Sequence, residues 1–113
     1  MKQMNEDRNI LINRLDENRE TQNRLKEELK SFPKGHVNTL YRNGKGYYYL
    51  TYRDGQKIKN DYLGPVGKTD LGLLFNKLRV REDHKRQIRA LKQEEKELKK
   101  KIGRYRRNVS PLE

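Results

Sequence analysis

Cysteine is absent from this sequence of 113 residues, so a disulfide framework and a thiolate metal site are both excluded. Histidine occurs only as His36 and His84, and neither has a carboxylate at the spacing of a metal site. No glycine motif could cradle a phosphate, and no apolar run has the length of a membrane span or a signal-peptide core. These absences predict a cytoplasmic, non-enzymatic protein without a metal, a cofactor or a membrane partner.

Apolar residues are also scarce, at 31% of the chain, whereas 39% of the residues are charged. This length suffices for one domain over 1–113, and so few apolar side chains predict an elongated fold with a narrow apolar seam. The net charge of +12 is unevenly spread, since residues 1–32 are neutral, 33–69 carry +5 and 70–113 carry +7. An excess confined to two parts of the chain indicates surfaces that meet anions.

The first predicted element is a helix over about 5–31, with Asn5 as its N-cap. Residues spaced alternately by four and three form a coiled-coil seam. The seam consists of Met4, Arg8, Leu11, Leu15, Asn18, Gln22, Leu25 and Leu29. Five of these eight are apolar, so the helix needs a partner. Pro33 ends it, because proline disfavours helix at the residue before it.

The middle of the chain, 37–63, is rich in tyrosine and β-branched residues and contains two turn signals, Asn43-Gly44 and Asp54-Gly55. Such dipeptides suit the positive φ angles of tight hairpins. They predict a three-stranded antiparallel meander with strands at about 37–42, 47–53 and 56–63.

A second helix is predicted over about 70–105, followed by a basic, flexible tail at 106–113. Its apolar stripe consists of Leu71, Leu74, Phe75, Leu78, Ile88, Leu91, Leu98 and Ile102. The fold class is therefore α+β: a long antiparallel helical hairpin with the meander inserted between its helices. In an antiparallel pair of helices, the numbers of facing residues have a constant sum. A sum of about 103 matches apolar positions with apolar positions and puts Leu29 beside Leu74 and Leu15 beside Ile88. A parallel dimer of self-associating chains is the competing arrangement, so the state is monomer or homodimer.

Alternation assigns the strand residues to two faces of the sheet. Thr51 is predicted opposite Ile58, and Tyr49 opposite Asn60; their face, with Leu40, is expected to pack on the second helix. The other face carries tyrosine and lysine, the combination that stacks on bases and replaces phosphate counterions. The predicted nucleic-acid contacts on the sheet are Tyr41, Arg42, Lys45, Tyr48, Tyr52, Arg53, Lys57 and Lys59.

The stretch KGYYYLTYRDGQKIKNDYLG, residues 45–64, resembles a hairpin of small basic coiled-coil proteins of prokaryotes, phages and mobile elements, and the start of some transposases. Three strands followed by a Tyr-Leu-Gly sequence and a helix are also similar to the DNA-binding domain of AP2 and phage-integrase type. In that family the sheet lies in the major groove. The resemblance implies DNA contacts from Tyr48, Leu50, Tyr52, Arg53, Lys57 and Lys59.

The end of the second helix is strongly basic. Six cations occupy nine positions: Lys99, Lys100, Lys101, Arg104, Arg106 and Arg107. Such a run typically contacts phosphates without reading sequence. A helix of 26 residues would hold it about 40 Å from the sheet, so two basic ends could grip one extended ligand.

The sequence thus predicts a protein that binds DNA, RNA or a nucleic-acid-containing complex. One alternative is an inhibitor from a phage or mobile element, such as an anti-CRISPR protein, docking on a host effector protein or its guide RNA. A second alternative is a chaperone or scaffold, because a prefoldin subunit also has the order helix, hairpin strands, helix.

Overall fold

The computed structural model describes residues 2–108, and the side chains over 7–105. The elements in chain order are α1 (Lys2–Leu29), β1 (His36–Arg42), β2 (Lys45–Asp54), β3 (Lys57–Pro65) and α2 (Gly72–Asn108). The α+β class is confirmed, with a three-stranded antiparallel sheet between two long helices. The helix α1 begins before the predicted cap Asn5. The helix α2 ends at Asn108, so residues 106–108 of the predicted tail are helical. The rest of that tail, 109–113, lies outside the described residues.

The chain forms two compact units, one of α1 with α2 from His84 onward, and one of residues 30–83. In the first unit the helices pair antiparallel. Asn18 Nδ2 donates to the Leu91 carbonyl at 2.9 Å, and His84 Nε2 lies 2.6 Å from Glu28 Oε2. Facing residue numbers therefore sum to about 112, so the predicted sum of 103 is wrong. The prediction paired the first apolar stripe of α2 with α1, but residues 72–83 belong to the unit that contains the sheet.

A polar layer interrupts the apolar seam of this helical hairpin. Asn18 and Gln22 are buried polar residues of this seam. The apolar layers of the seam are formed by Leu15, Leu25, Ile88 and Leu98. Gln22 Nε2 donates to Asn18 Oδ1 at 2.6 Å and to Glu95 Oε1 at 3.3 Å, while Asn18 also reaches Glu94. The predicted sum of 103 would instead place Lys85 opposite Asn18 and Arg81 opposite Gln22. Within the described part of the chain no buried side-chain nitrogen or oxygen lacks a partner, so the layer is satisfied and specifies one register.

Two tight turns set the register of the sheet. Arg42 pairs with Lys45 around Asn43-Gly44, whose φ angles of 52° and 78° are those of the predicted type I′ turn. In the second hairpin Asp54 pairs with Lys57, so the turn is Gly55-Gln56, one residue later than predicted. Gly55 has a φ of 64°, and glycine at the first turn position is typical of a type II′ turn.

The later turn shifts the pairing of β2 with β3 by two residues. Thr51 lies opposite Asn60, and Tyr49 lies opposite Tyr62, in place of the predicted Ile58 and Asn60. A shift of two preserves the face on which each side chain lies, because the side-chain period in a strand is two. The predicted faces of Tyr49, Thr51 and Asn60 therefore remain valid, whereas an irregularity between Tyr48 and Tyr49 changes the register further along, where Tyr47 pairs with Pro65.

We call the two sides of the sheet the Tyr49 face and the Leu50 face. The Tyr49 face carries His36, Asn38, Leu40, Arg42, Lys45, Tyr47, Tyr49, Thr51, Arg53, Ile58, Asn60 and Tyr62. Leu50 is buried, whereas Leu40, Ile58 and Tyr62 are 45%, 64% and 57% exposed. The expectation that the Tyr49 face packs on the second helix is wrong. Among the described strand side chains only Leu50, at the centre of β2, is buried, while Tyr41 on the same face is 72% exposed.

Candidate nucleic-acid interface

Three tyrosines form a cluster on the Tyr49 face. The ring centroids of Tyr49 and Tyr62 are 5.5 Å apart, and those of Tyr47 and Tyr62 are 6.3 Å apart. The ring planes are inclined by 58° and 51°, which is the tilted arrangement that aromatic pairs favour over a face-to-face sandwich. Tyr62 is 57% exposed, and Tyr47 and Tyr49 are partly exposed, so the cluster offers aromatic surface to a ligand.

Cations flank the cluster along the strands. Arg42 and Lys45 close the first hairpin and line a shallow open groove together with Asn43, Tyr47, Tyr49 and Tyr62. Arg53 lies on the same face at the opposite end of β2. No strand position of this face holds a carboxylate, and among the described residues Arg42, Lys45 and Arg53 form no ion pair. An approaching anion would therefore meet uncompensated positive charge.

A polar ladder crosses the same face between the cluster and Arg53. Asn38 Nδ2 donates to Thr51 Oγ1 at 2.6 Å, and the Thr51 hydroxyl donates to Asn60 Oδ1 at 2.6 Å. The three side chains come from three strands, since Thr51 lies on β2 between the other two. The ladder links the strands and leaves part of each terminal amide unused.

The Leu50 face, where the sequence placed the site, is electrostatically balanced. Its strand positions hold two lysines, Lys57 and Lys59, and two aspartates, Asp54 and Asp61. Lys59 Nζ lies 2.7 Å from Asp54 Oδ2. Partial burial of Tyr52 raises its pKa, and its hydrogen bond to Asp61 raises that pKa further, so the phenol is a neutral donor to the carboxylate.

The other predicted contacts of this face are also engaged within the sheet. Tyr48 is half-buried, and Leu50, which the resemblance to AP2-type domains places against DNA, is 9% exposed. Tyr41 is 72% exposed, but its ring lies over Gly46. A Cβ atom at Gly46 would be 2.9 Å from Tyr41 Cε1 and 2.8 Å from Val66 Cγ2, so a side chain there would require one of these two residues to shift.

The basic end of α2 belongs to the helical unit. Lys99, Lys100, Lys101 and Arg104 are exposed on it. Lys99 Nζ lies 3.9 Å from Glu95 Oε2, one turn earlier in the helix. The side chains of Arg106 and Arg107 lie outside the described residues. This cluster is a second basic surface, on a different unit from the Tyr49 face.

The sequence predicted contacts from Arg42, Lys45 and Arg53 at the margins of the face that holds Tyr48 and Tyr52, and the strand pairing places all three on the Tyr49 face. Tyr47, Tyr49 and Tyr62 were assigned to a packed face because their side of the sheet lacks charge at its centre. The signal that could have found them is the pair of asparagines that shares their face, since asparagine is disfavoured inside a packed strand.

A protein-family model matches residues 8–71, which is more than half of the chain. The chain belongs to the family DUF6788. That family is described as a domain of unknown function. The DUF6788 match contains the entire Tyr49 face and ends before the first residue of α2, so the basic end of that helix lies outside it. No curated protein and no solved structure matches the chain.

None of the helices in 2–108 has a segment long and apolar enough to cross a bilayer. The same part of the chain contains no group of three or more histidine, aspartate or glutamate side chains that could hold a metal ion.

Proposed function

We propose that this member of DUF6788 binds single-stranded nucleic acid through the Tyr49 face of its sheet. The observation that carries the proposal is one groove in which the Tyr47, Tyr49 and Tyr62 rings lie beside Arg42 and Lys45. That groove is on a face whose strand positions hold no carboxylate. Accessible aromatic rings and unpaired cations are the two components of a single-strand binding surface.

Each component has a definite task in this proposal. Bases stack on the tyrosine rings, and one stacked base contributes about 1–3 kcal/mol. Arg42 and Lys45 contact phosphates at one end of the cluster and Arg53 does so at the other. Each such contact releases a counterion, so affinity falls as salt rises. The binding track would run along β2, from the first hairpin towards the second.

A single strand suits this face better than a duplex. The faces of bases in a duplex are covered by their neighbours, and only an unstacked base can lie on a tyrosine ring. The centre of the face offers tyrosines, whereas cations occupy its ends. A sheet inserted in the major groove would instead need long polar side chains at its centre to reach base edges.

The basic end of α2 is proposed as an additional contact to the sugar-phosphate backbone. Lys100, Lys101 and Arg104 are exposed there, and no aromatic cluster accompanies them among the described residues. Such a surface adds affinity without adding base recognition.

The test is a salt titration of binding to fluorescently labelled single-stranded RNA, single-stranded DNA and duplex DNA of equal length. We expect a preference for one or both single strands, a steep loss of affinity with salt, and quenching of tyrosine fluorescence on binding. Absence of binding at low salt would refute the proposal. Preferential binding to the duplex would refute the stacking mode and favour insertion of the sheet in a groove.

A further inference from the structure

The polar ladder on the Tyr49 face has hydrogen-bonding capacity that the protein does not use. An asparagine amide has two N–H donors and one carbonyl acceptor, and a threonine hydroxyl has a single donor. Thr51 gives its proton to Asn60 Oδ1 and accepts from Asn38 Nδ2. Within the described residues, Asn60 Nδ2 donates to no partner and Asn38 Oδ1 accepts from none.

The direction of the ladder therefore fixes what each end presents. One terminal amide offers an N–H₂ donor and the other a carbonyl acceptor, because the hydroxyl between them can donate only once. Thr51 holds both amides at 2.6 Å, so they are oriented before any ligand arrives. Fixed polar groups discriminate between ligands better than groups that can rotate to suit either.

The ladder lies beside the tyrosine cluster. Asn38 is opposite Tyr49 across β1 and β2, and Asn60 precedes Tyr62 by two residues on the same face of β3. Asn38 Nδ2 and Asn60 Oδ1 each lie 2.6 Å from Thr51 Oγ1, so the two amides converge on one hydroxyl group. They lie close enough together to contact the edges of bases that stack on the neighbouring rings.

We infer that the Asn38–Thr51–Asn60 ladder is the base-reading element of the Tyr49 face. The inference rests on the proposed function and adds sequence preference to it. Asn60 donates to an acceptor on the edge of a stacked base, and Asn38 accepts from a donor on a base edge. Thr51 is a positioning residue, since it acts through the two amides.

A purely structural purpose explains the ladder poorly. Asparagine is among the residues least suited to strands, and β-branched residues at these positions would support the sheet better. Asn60 is exposed, so water could satisfy its amide without Thr51. Two asparagines facing the same way around a central threonine are instead the arrangement that presents oriented amides to a ligand.

The experiment compares the affinities of single-stranded oligo(A), oligo(C) and oligo(U) of equal length for the wild type, Thr51→Val and the double variant Asn38→Ala/Asn60→Ala. Valine keeps the shape of threonine and removes both hydrogen bonds. We expect the wild type to bind its preferred oligomer about fivefold or more tightly than the oligomer it binds most weakly. That ratio is the discrimination given by one base-edge hydrogen bond. In both variants the spread should shrink to about twofold or less, with the salt dependence unchanged.

The outcomes separate this inference from the proposed function. If the wild type binds all three oligomers with equal affinity and a steep salt dependence, the base-reading role of the ladder is overturned. The proposed binding through the Tyr49 face is then unaffected. A spread that survives in either variant would also overturn the base-reading role. Absence of binding by the wild type would overturn both. Circular dichroism spectra and thermal unfolding of each variant establish that it is folded when its affinities are measured.

Discussion

The ammonium group of Lys59 lies 2.7 Å from a carboxylate oxygen of Asp54, which precedes the turn between β2 and β3. Both side chains are about half exposed, so the pair contributes little to stability. Its consequence is electrostatic, since it compensates a cation of the Leu50 face. Arg42 and Lys45 on the Tyr49 face have no such partner in the described part of the chain. The two faces of the sheet therefore differ in the uncompensated positive charge that they present to an anion.

Charge removal on the two faces should have different effects on binding. Arg42→Gln/Lys45→Gln should weaken single-strand binding and reduce the slope of log affinity against log salt by about 1.4, since each lost phosphate contact removes about 0.7. The matched control is Lys57→Gln/Lys59→Gln, which removes the same charge from the Leu50 face. The measurement is a salt titration of both variants. An equal reduction of the salt-dependence slope in both double variants would show that the phosphates do not bind along the Tyr49 face.

The aromatic cluster provides a second test of the same face. Tyr62→Leu should weaken single-strand binding by about 5-fold to 150-fold, because a stacked base is worth about 1–3 kcal/mol. Leucine retains apolar volume, so the sheet should still form. Tyr41→Leu is the control, since that tyrosine is more exposed but lies on the other face. Binding is followed by fluorescence anisotropy, and comparable losses for both variants would contradict the assignment of the face.

The buried polar layer of the helical hairpin should specify its pairing. Asn18→Ala should lower the free energy of unfolding by about 1–3 kcal/mol, because Gln22 then loses a buried partner. Asn18→Leu/Gln22→Leu should be neutral or stabilising, since apolar residues replace the whole layer. The cost is specificity, and the double variant should self-associate. Urea unfolding and sedimentation equilibrium measure the two effects. A double variant that is as unstable as Asn18→Ala would contradict this.

Acid should weaken the helical hairpin through Glu95. Hydrogen bonds from Arg19 and then Gln22 lower the pKa of Glu95 below its ordinary value of 4.5. The stabilisation that follows is present above pH 4.5 and is lost as pH falls through the lower pKa of the folded state. The urea concentration at the midpoint of unfolding should therefore decrease as the pH is lowered below 4.5. The decrease should be smaller in Glu95→Gln.

Glu97→Gln is the control for this pH dependence. Glu97 accepts a hydrogen bond only from Gln93, at 3.4 Å, and forms no ion pair within the described residues. Its variant should retain the acid sensitivity of the wild type. An identical acid response of Glu95→Gln and Glu97→Gln would exclude Glu95 as the source.

The elements of the fold could be predicted because each has a local cause. The first turn was found because Asn43-Gly44 accepts two positive φ angles in succession. The second turn was misplaced by one residue, since Asp54-Gly55 contains one glycine that can occupy either turn position. The helix register failed for a non-local reason, because Leu71, Leu74 and Leu78 belong to the sheet-containing unit, although their spacing suits a coiled coil equally well.

The candidate site was partly predictable for a similar reason. Arg42, Lys45 and Arg53 were predicted from their charge, although at the margins of the other face, and the observed pairing places them on the Tyr49 face. The aromatic part required knowledge of which face is covered, and a run of alternating tyrosines carries no such information. That information comes only from the folded unit, in which Leu40, Ile58 and Tyr62 of the Tyr49 face are exposed.

The division of charge across the sheet has a consequence before any contact is made. Three cations on one face, and two lysines with two aspartates on the other, give the sheet an electric moment through its thickness. A polyanion approaching within about 10 Å, the screening length at moderate salt, would exert a torque that turns the Tyr49 face towards it. Collisions would thus be orientationally biased, and a larger share of them would be productive than chance allows. The rate of association, and not only the equilibrium, would depend on which side of the strands each lysine and arginine occupies.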